Sequence, residues 1–172
     1  MITREHFVAA GLYKLLLPYL YGAKGDIMLD RGVWVPVPKN PDTNKARAYD
    51  CSGLPMDILR ELGGPDLRRT HYTDVLWDPA KGGLSPTTSP EPGDLAFYGG
   101  SSELDVSHVM IVIGMVGGKF MVFGASGGRS STLDYKEAAA RRAFVKIKES
   151  HLYRADFRGF RSMSKFLGKE NT

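Results

Sequence analysis

Cys51 is the only cysteine among the 172 residues, and His6, His71, His108 and His151 supply all the imidazoles. A thiol becomes a nucleophile when its surroundings favour thiolate and a base stands within reach of its proton. Cys51 lies in Asp50-Cys51-Ser52-Gly53, just before a run in which Leu54, Ile58, Leu59 and Leu62 recur at helical spacing. Pro55 is tolerated only in a first turn, and Gly63-Gly64-Pro65 ends the run, so residues 52–62 are expected to form a helix with Cys51 at its N-terminus. There the helix dipole and unsatisfied N–H groups favour thiolate, and a lowered pKa is expected. The plainer reading is a buried structural cysteine, the common condition of a free thiol. Two polar neighbours and a glycine suit a cleft better than an apolar core.

Of the histidines, His6, His71 and His151 stand in polar, helical or basic surroundings and read as solvated or merely satisfied rings. His108 opens an apolar run after a polar loop, where its ring can face the start of a helix packed on a sheet. Cys51 and His108 are therefore the nucleophile–base candidates, expected within hydrogen-bond reach of each other.

The remaining pattern places these two residues. Val8, Leu12, Leu15 and Leu16 give residues 3–17 a helical period that Pro18 stops, and residues 22–49 read as a long loop with an extended Trp34–Pro38 stretch. After a second loop over 78–92, the runs 94–98, 107–114 and 119–124 read as strands; the second is apolar on both faces, and Gly117-Gly118 marks a hairpin before the third. A short helix over 135–142, a strand over 143–148 and a last strand near 157–160 complete the pattern, followed by a basic tail over 161–172. One domain over 1–160 is expected.

Composition sets outer bounds. With 42% hydrophobic and 24% charged residues the chain is globular rather than disordered. A lone cysteine allows no internal disulfide and no four-cysteine zinc site, and one Cys with one His is too small a set for the usual zinc site, so neither metal nor cofactor is expected. Net charge is +4, but residues 141–172 hold nine Lys/Arg against three Asp/Glu, so the basicity belongs to the C-terminal end. No dense basic run marks a nucleic-acid arm. The apolar stretch from Phe7 to Tyr21 is interrupted by Lys14 and Pro18 and is too short to span a bilayer, and no signal peptide is read there.

Four motifs in order carry a resemblance: Pro18-Tyr19-Leu20-Tyr21-Gly22, Asp50-Cys51-Ser52-Gly53-Leu54, Pro92-Gly93-Asp94-Leu95-Ala96-Phe97, and Ser107-His108-Val109 with Ile111-Val112-Ile113-Gly114. Together they resemble the NlpC/P60 family of cell-wall cysteine peptidases over residues 18–124. Residues 124–128 and 138–148 are also similar to the versions found in bacteriophage tail and prophage proteins.

The resemblance implies a papain-like α+β fold, a central antiparallel sheet with the nucleophile at the N-terminus of a helix packed on it. It implies Cys51 as nucleophile, His108 as general base and acid, Tyr19 lining the site, and Asp50 and Ser52 holding the free amine of the substrate peptide. The implied substrate is the bacterial stem peptide, cut between γ-D-glutamyl and the diamino acid, as a D,L-endopeptidase does. A phage tail-associated enzyme would be made in the host cytoplasm, carried in the virion beside other tail proteins, and act on the wall from outside. A structural tail-tip or hub component with the same fold and little activity is the alternative reading, and action on another acyl bond by the same thiol is a third. The family commonly places His, Asn or Gln on the strand after the catalytic histidine, where this sequence has Gly124. A backbone carbonyl, ordered water, Ser126 or Asp105 is then left to orient His108.

Overall fold

Strands whose side chains are apolar on both faces need cover on both sides, and the fold supplies it with helices on one side and the C-terminal chain on the other. The computed structural model describes residues 1–102 and 105–168. In chain order its elements are β1 (Ile2–Thr3), α1 (Arg4–Leu12), β2 (Lys24–Gly25), β3 (Ile27–Asp30), β4 (Val33–Pro36), β5 (Ala48–Tyr49), α2 (Gly53–Glu61), α3 (Thr73–Trp77), β6 (Ser85–Thr87), β7 (Leu95–Tyr98), β8 (His108–Val116), β9 (Lys119–Ser126), α4 (Tyr135–Ala140), β10 (Phe144–Lys148), β11 (Phe157–Ser162) and β12 (Leu167–Gly168). Six strands form the central sheet in the order β10-β9-β8-β7-β11-β6, and every neighbouring pair is antiparallel. The fold is α+β, as expected.

Alternation along β8 divides the core. Val109 and Ile111 join Phe97, Phe123 and Val145 on the face covered by Phe7 of α1 and by Leu54 and Ile58 of α2. Met110 and Val112 point the other way, into a second cluster with Tyr98, Val122 and Phe160 that Tyr153 and Phe157 close over. His108 shares this second face: it pairs in register with Tyr98, and the two rings stand 5.8 Å apart.

Asp94, of the Pro92-Gly93-Asp94 motif, ties three remote segments together. Its Oδ1 accepts from the buried Arg4 guanidinium at 2.7 Å and from the Met163 N–H at 2.8 Å, while Oδ2 accepts from the Glu91 N–H at 2.9 Å. Hydrogen bonds to an ionised acceptor at such distances are the strong class.

Several boundaries differ from expectation. The first helix ends at Leu12 rather than running to 17, because Leu16 takes a left-handed φ of +69° and gives its N–H to Val145 of β10. The expected long loop over 22–49 contains four strands, including the β3–β4 hairpin, and Pro36 is accommodated at the end of that two-stranded ribbon. Helix α3 and the edge strand β6 were not anticipated, the first too short to show a period and the second interrupted by Pro86.

The largest correction concerns the boundary at 160 and the tail beyond it. β11 continues through Ser162, Met163 is fully buried, Leu167 is nearly so, and β12 pairs in parallel with β1. Arg161 is buried with its guanidinium 3.3 Å from the centre of the Trp77 ring and its Nε donating to the Trp77 carbonyl. A residue counted as tail charge is thus part of the core, and the domain extends at least to Gly168; residues 169–172 of the expected tail lie outside the described residues. Emptying the Met163 site alone is expected to cost about 2–5 kcal/mol. A chain ending at Phe160 is therefore expected to lose cooperative unfolding, as followed by circular dichroism.

Candidate active site

The nucleophile candidate is set by a buried ion pair that begins 26 residues upstream of Asp50. β2 pairs antiparallel with β5, with Lys24 opposite Tyr49, and the Asp50 N–H bonds the Ala23 carbonyl. The Lys24 side chain is thereby fully buried, with Nζ 2.8 and 2.9 Å from the two Asp50 carboxylate oxygens and 2.7 Å from Ser52 Oγ. Asp50 Oδ1 also accepts the Gly53 N–H at 2.6 Å, satisfying a donor at the start of α2. Gly53 is required there, since a Cβ would stand 2.3 Å from the Ala23 carbonyl oxygen. Cys51 is locked between these anchors, immediately ahead of α2 as the sequence predicts.

Cys51 is buried, with Sγ 3.6 Å from the Thr73 hydroxyl and 3.9 Å from the Ser107 carbonyl oxygen. His108, next along the chain from Ser107, opens β8, and both Cys51 and His108 line one cavity of about 650 Å³. A second cavity of about 450 Å³ adjoins it and shares Tyr19, Tyr21, Cys51 and Ser107 with it. The structure thus brings the two candidate residues to one cleft and puts Tyr19, Asp50, Ser52, Asp105 and Ser126 along its walls. His6, His71 and His151 are not among the residues lining these two cavities.

Three details depart from expectation. First, no hydrogen bond joins Cys51 Sγ to the His108 ring; the sulfur has Thr73 and Ser107 as its partners. Second, the Cys51 thiol is pushed up rather than down, because burial and then the Asp50 carboxylate outweigh the Thr73 hydroxyl, the Lys24 ammonium and the Val109 backbone, which act in the other direction. Burial, followed by the Arg154 charge, takes His108 down to about 3. The resting pair is a neutral thiol beside a neutral imidazole. Third, Asp50 and Ser52, the groups expected to hold an incoming amine, are both already engaged by Lys24.

The orienting group for His108 has a physical answer at Gly124. A Cβ there would stand 2.7 Å from Met110 Sδ, so the Met110 side chain fills the space a third polar residue would use. Asp105 gives its carboxylate to the N–H and hydroxyl of Ser101, both at 3.0 Å. Neither it nor Ser126 bonds the His108 ring, and buried Nε2 has no hydrogen-bond partner among the described residues. The ring is held by packing against Tyr98. Lys24, Thr73 and Arg154 are site neighbours that local sequence pattern does not reveal; each arrives from an element far along the chain. Among the described residues, no three His, Cys, Asp or Glu side chains converge as a metal-ligand group.

A cysteine at the start of a helix packed on an antiparallel sheet, sharing one cleft with a histidine at the start of a sheet strand, is the arrangement of the papain-like cysteine hydrolases. Residues 18–149 match the NlpC/P60 family, and the chain belongs to that family. Among solved structures the chain is similar to the peptidoglycan hydrolase RipB from Mycobacterium tuberculosis, with 19% identity and a TM-score of 0.53 over 91% of this chain and 62% of that one. It is similar to the P60 domain of antigen MAP1204 from M. avium subspecies paratuberculosis, with 19% identity and a TM-score of 0.54 over 92% of each chain. It is also similar to the resuscitation promoting factor interacting protein RipA, with 17% identity and a TM-score of 0.53 over 91% of this chain and 59% of that one. The chain therefore spans about three fifths of the length of RipA and RipB, and at these identities the likeness is one of fold. Comparison with curated proteins gave no match.

Two substitutions test this construction. Lys24→Met leaves the Asp50 carboxylate buried without its counter-charge and is expected to destabilise the fold by about 3–5 kcal/mol. Adding Asp50→Asn should recover most of that loss in denaturant titration. Separately, Gly124→Asn is expected to cost about 1–3 kcal/mol by overpacking against Met110. Combining it with Met110→Ala should relieve the cost, measured in the same way.

Proposed function

We propose that the protein is a peptidoglycan hydrolase that cuts a stem-peptide amide, the γ-D-glutamyl–diamino acid bond, through Cys51 and His108. The observation that carries this reading is the meeting of these two side chains in one cleft, in a chain of the NlpC/P60 family. As substrate binds, neutral His108 takes the thiol proton while sulfur attacks the amide carbonyl, and the Cys51 N–H at the helix start faces the developing oxyanion. The imidazolium then protonates the departing amine, and water, activated by the same ring, hydrolyses the thioester. Tyr19 forms part of the substrate wall. Lys24 already neutralises Asp50, so on this reading the enzyme needs no free N-terminal amine on its substrate.

The setting we propose is a phage tail, from which the enzyme opens the wall locally; its support is the sequence resemblance of residues 124–128 and 138–148. Among the described residues no helix is long and apolar enough to cross a membrane. A tail-tip or hub component with little activity is favoured by one observation, the missing bond between Cys51 and His108.

Purified peptidoglycan incubated with the native chain is expected to release new amino groups, and Cys51→Ala to lower that rate by at least about a thousandfold. No release by either chain would support the tail-component reading. The pH profile is a second check. A His108 with its pKa near 3 is already neutral at pH 5, so the acid form that blocks general-base action is scarce there. Accordingly kcat/KM is expected to stay flat from pH 7.5 down to about 5, and a fall centred near 6.5 would contradict the buried neutral ring.

A further inference from the structure

The cleft differs in charge on its two sides of Cys51. The smaller cavity carries Asp50, Asp74 and Asp105, and each is already engaged: Asp50 by Lys24, Asp74 by Lys81 at 3.1 Å, and Asp105 by Ser101. The larger cavity, the one that His108 lines, carries Arg129, Arg141 and Arg154, and no Asp or Glu lines it among the described residues. Glu137 pairs with Arg141 through Nε, leaving both terminal nitrogens of that guanidinium to other acceptors. Asp156 takes Arg154 Nε at 2.8 Å and Nη2 at 2.5 Å, leaving Nη1. The Arg129 guanidinium makes no ion pair or side-chain hydrogen bond among the described residues; its residue is held through its backbone, whose N–H donates to Thr132 Oγ1 and whose carbonyl accepts the Thr132 N–H. Arg154 is further oriented by the Tyr98 ring, 5.7 Å from its guanidinium carbon, and Tyr98 in turn packs on His108.

We propose that Arg129, Arg141 and Arg154 form a carboxylate-binding subsite for the amine-side fragment of the substrate. The inference rests on the hydrolase reading above for its direction. The departing amine must receive its proton from His108, so the fragment that bears it lies in the cavity His108 lines. That fragment begins with the diamino acid. Planar guanidinium groups bind carboxylates through paired, charge-assisted hydrogen bonds, and about 650 Å³ accommodates a ligand of two or three residues. The subsite therefore selects stem peptides whose amine-side residues keep free carboxylates and discriminates against amidated ones. Because Lys24 occupies Asp50, the acidic group next to Cys51, recognition by charge falls to this side of the scissile bond.

The probe is the dipeptide diaminopimelyl-D-alanine, compared with the same dipeptide carrying amides at every carboxyl group, titrated into the Cys51→Ala chain by calorimetry or NMR. The free acid is expected to bind at least about tenfold tighter than the amide, with a preference that shrinks as salt is added. Arg129 is exposed; Arg129→Gln should leave the fold intact and weaken the acid about tenfold while leaving the amide unchanged. Arg129→Gln with Arg154→Gln should abolish the preference, and Arg154→Lys should retain part of it. Equal binding of acid and amide, or indifference to both Arg129→Gln and the double change, overturns the subsite. Turnover of native peptidoglycan separates the two readings. Cys51-dependent cleavage with no carboxylate preference leaves the hydrolase standing without the subsite, whereas arginine-dependent binding with no cleavage leaves the subsite standing without the hydrolase.

Discussion

The ion pair between Lys24 and Asp50 governs the site. It lies out of water, where a single charge is costly and a paired one needs further hydrogen bonds to hold it. Those bonds come from Ser52 and from the Gly53 N–H, so one carboxylate serves as counter-ion, loop clasp and helix cap. The short β2–β5 pairing brings Lys24 there, and the Tyr72 ring, 5.0 Å from its ammonium, closes over it. Displacing any of these partners moves Cys51, which has no freedom of its own between Asp50 and α2.

The same burial sets the chemistry. A thiol at a helix start gains from the dipole, but that gain is a fraction of the penalty for placing an anion where water is excluded. With Asp50 adjacent, the sulfur stays protonated at rest, and the buried ring of His108 stays neutral beside it. On the proposed mechanism charge develops only as substrate enters and the proton moves, when the helix-start N–H groups and the cation-lined side of the cleft have something to act on. The pair is therefore, on that proposed mechanism, a proton-transfer couple rather than a stored thiolate–imidazolium pair.

What sequence pattern made legible follows from the range of the forces involved. The period of Leu54, Ile58 and Leu62 defines α2 locally, and the alternation through Val109, Met110 and Ile111 defines β8 and its two faces; both elements appear where expected. The placing of Cys51 ahead of α2 and of His108 at the start of β8 follows from these, whereas their sharing one cleft depends on contacts between distant segments. Contacts between distant segments left no local trace. The Lys24–Asp50 pair joins residues 26 apart, Arg4 meets Asp94 across 90, and the burial of Arg161 against Trp77 spans 84, so a charged residue that reads as tail is core. The Trp34–Pro36 stretch reads as loop because prolines interrupt it, yet a two-stranded ribbon has free edges that tolerate them.

Gly124 shows how the two kinds of information combine. Its lack of a side chain reads from sequence as a lost orienting group for His108, and buried Nε2 of that ring has no hydrogen-bond partner among the described residues. Its cause lies across the strand pair, where the Met110 thioether fills the volume a side chain at 124 would need. Burial of the ring depresses the imidazole's pKa, while Tyr98 packs against it. A hydrogen-bonded third residue holds a particular tautomer and raises basicity; packing holds orientation alone. The ring in this cleft is consequently positioned as a weak base with its tautomer unassigned, and the sign of Arg154 nearby makes it weaker still. On the proposed mechanism, a base of that kind transfers a proton efficiently only when the substrate itself completes the surroundings, so the arginine-lined side proposed to take the departing fragment would also be the side that tunes His108.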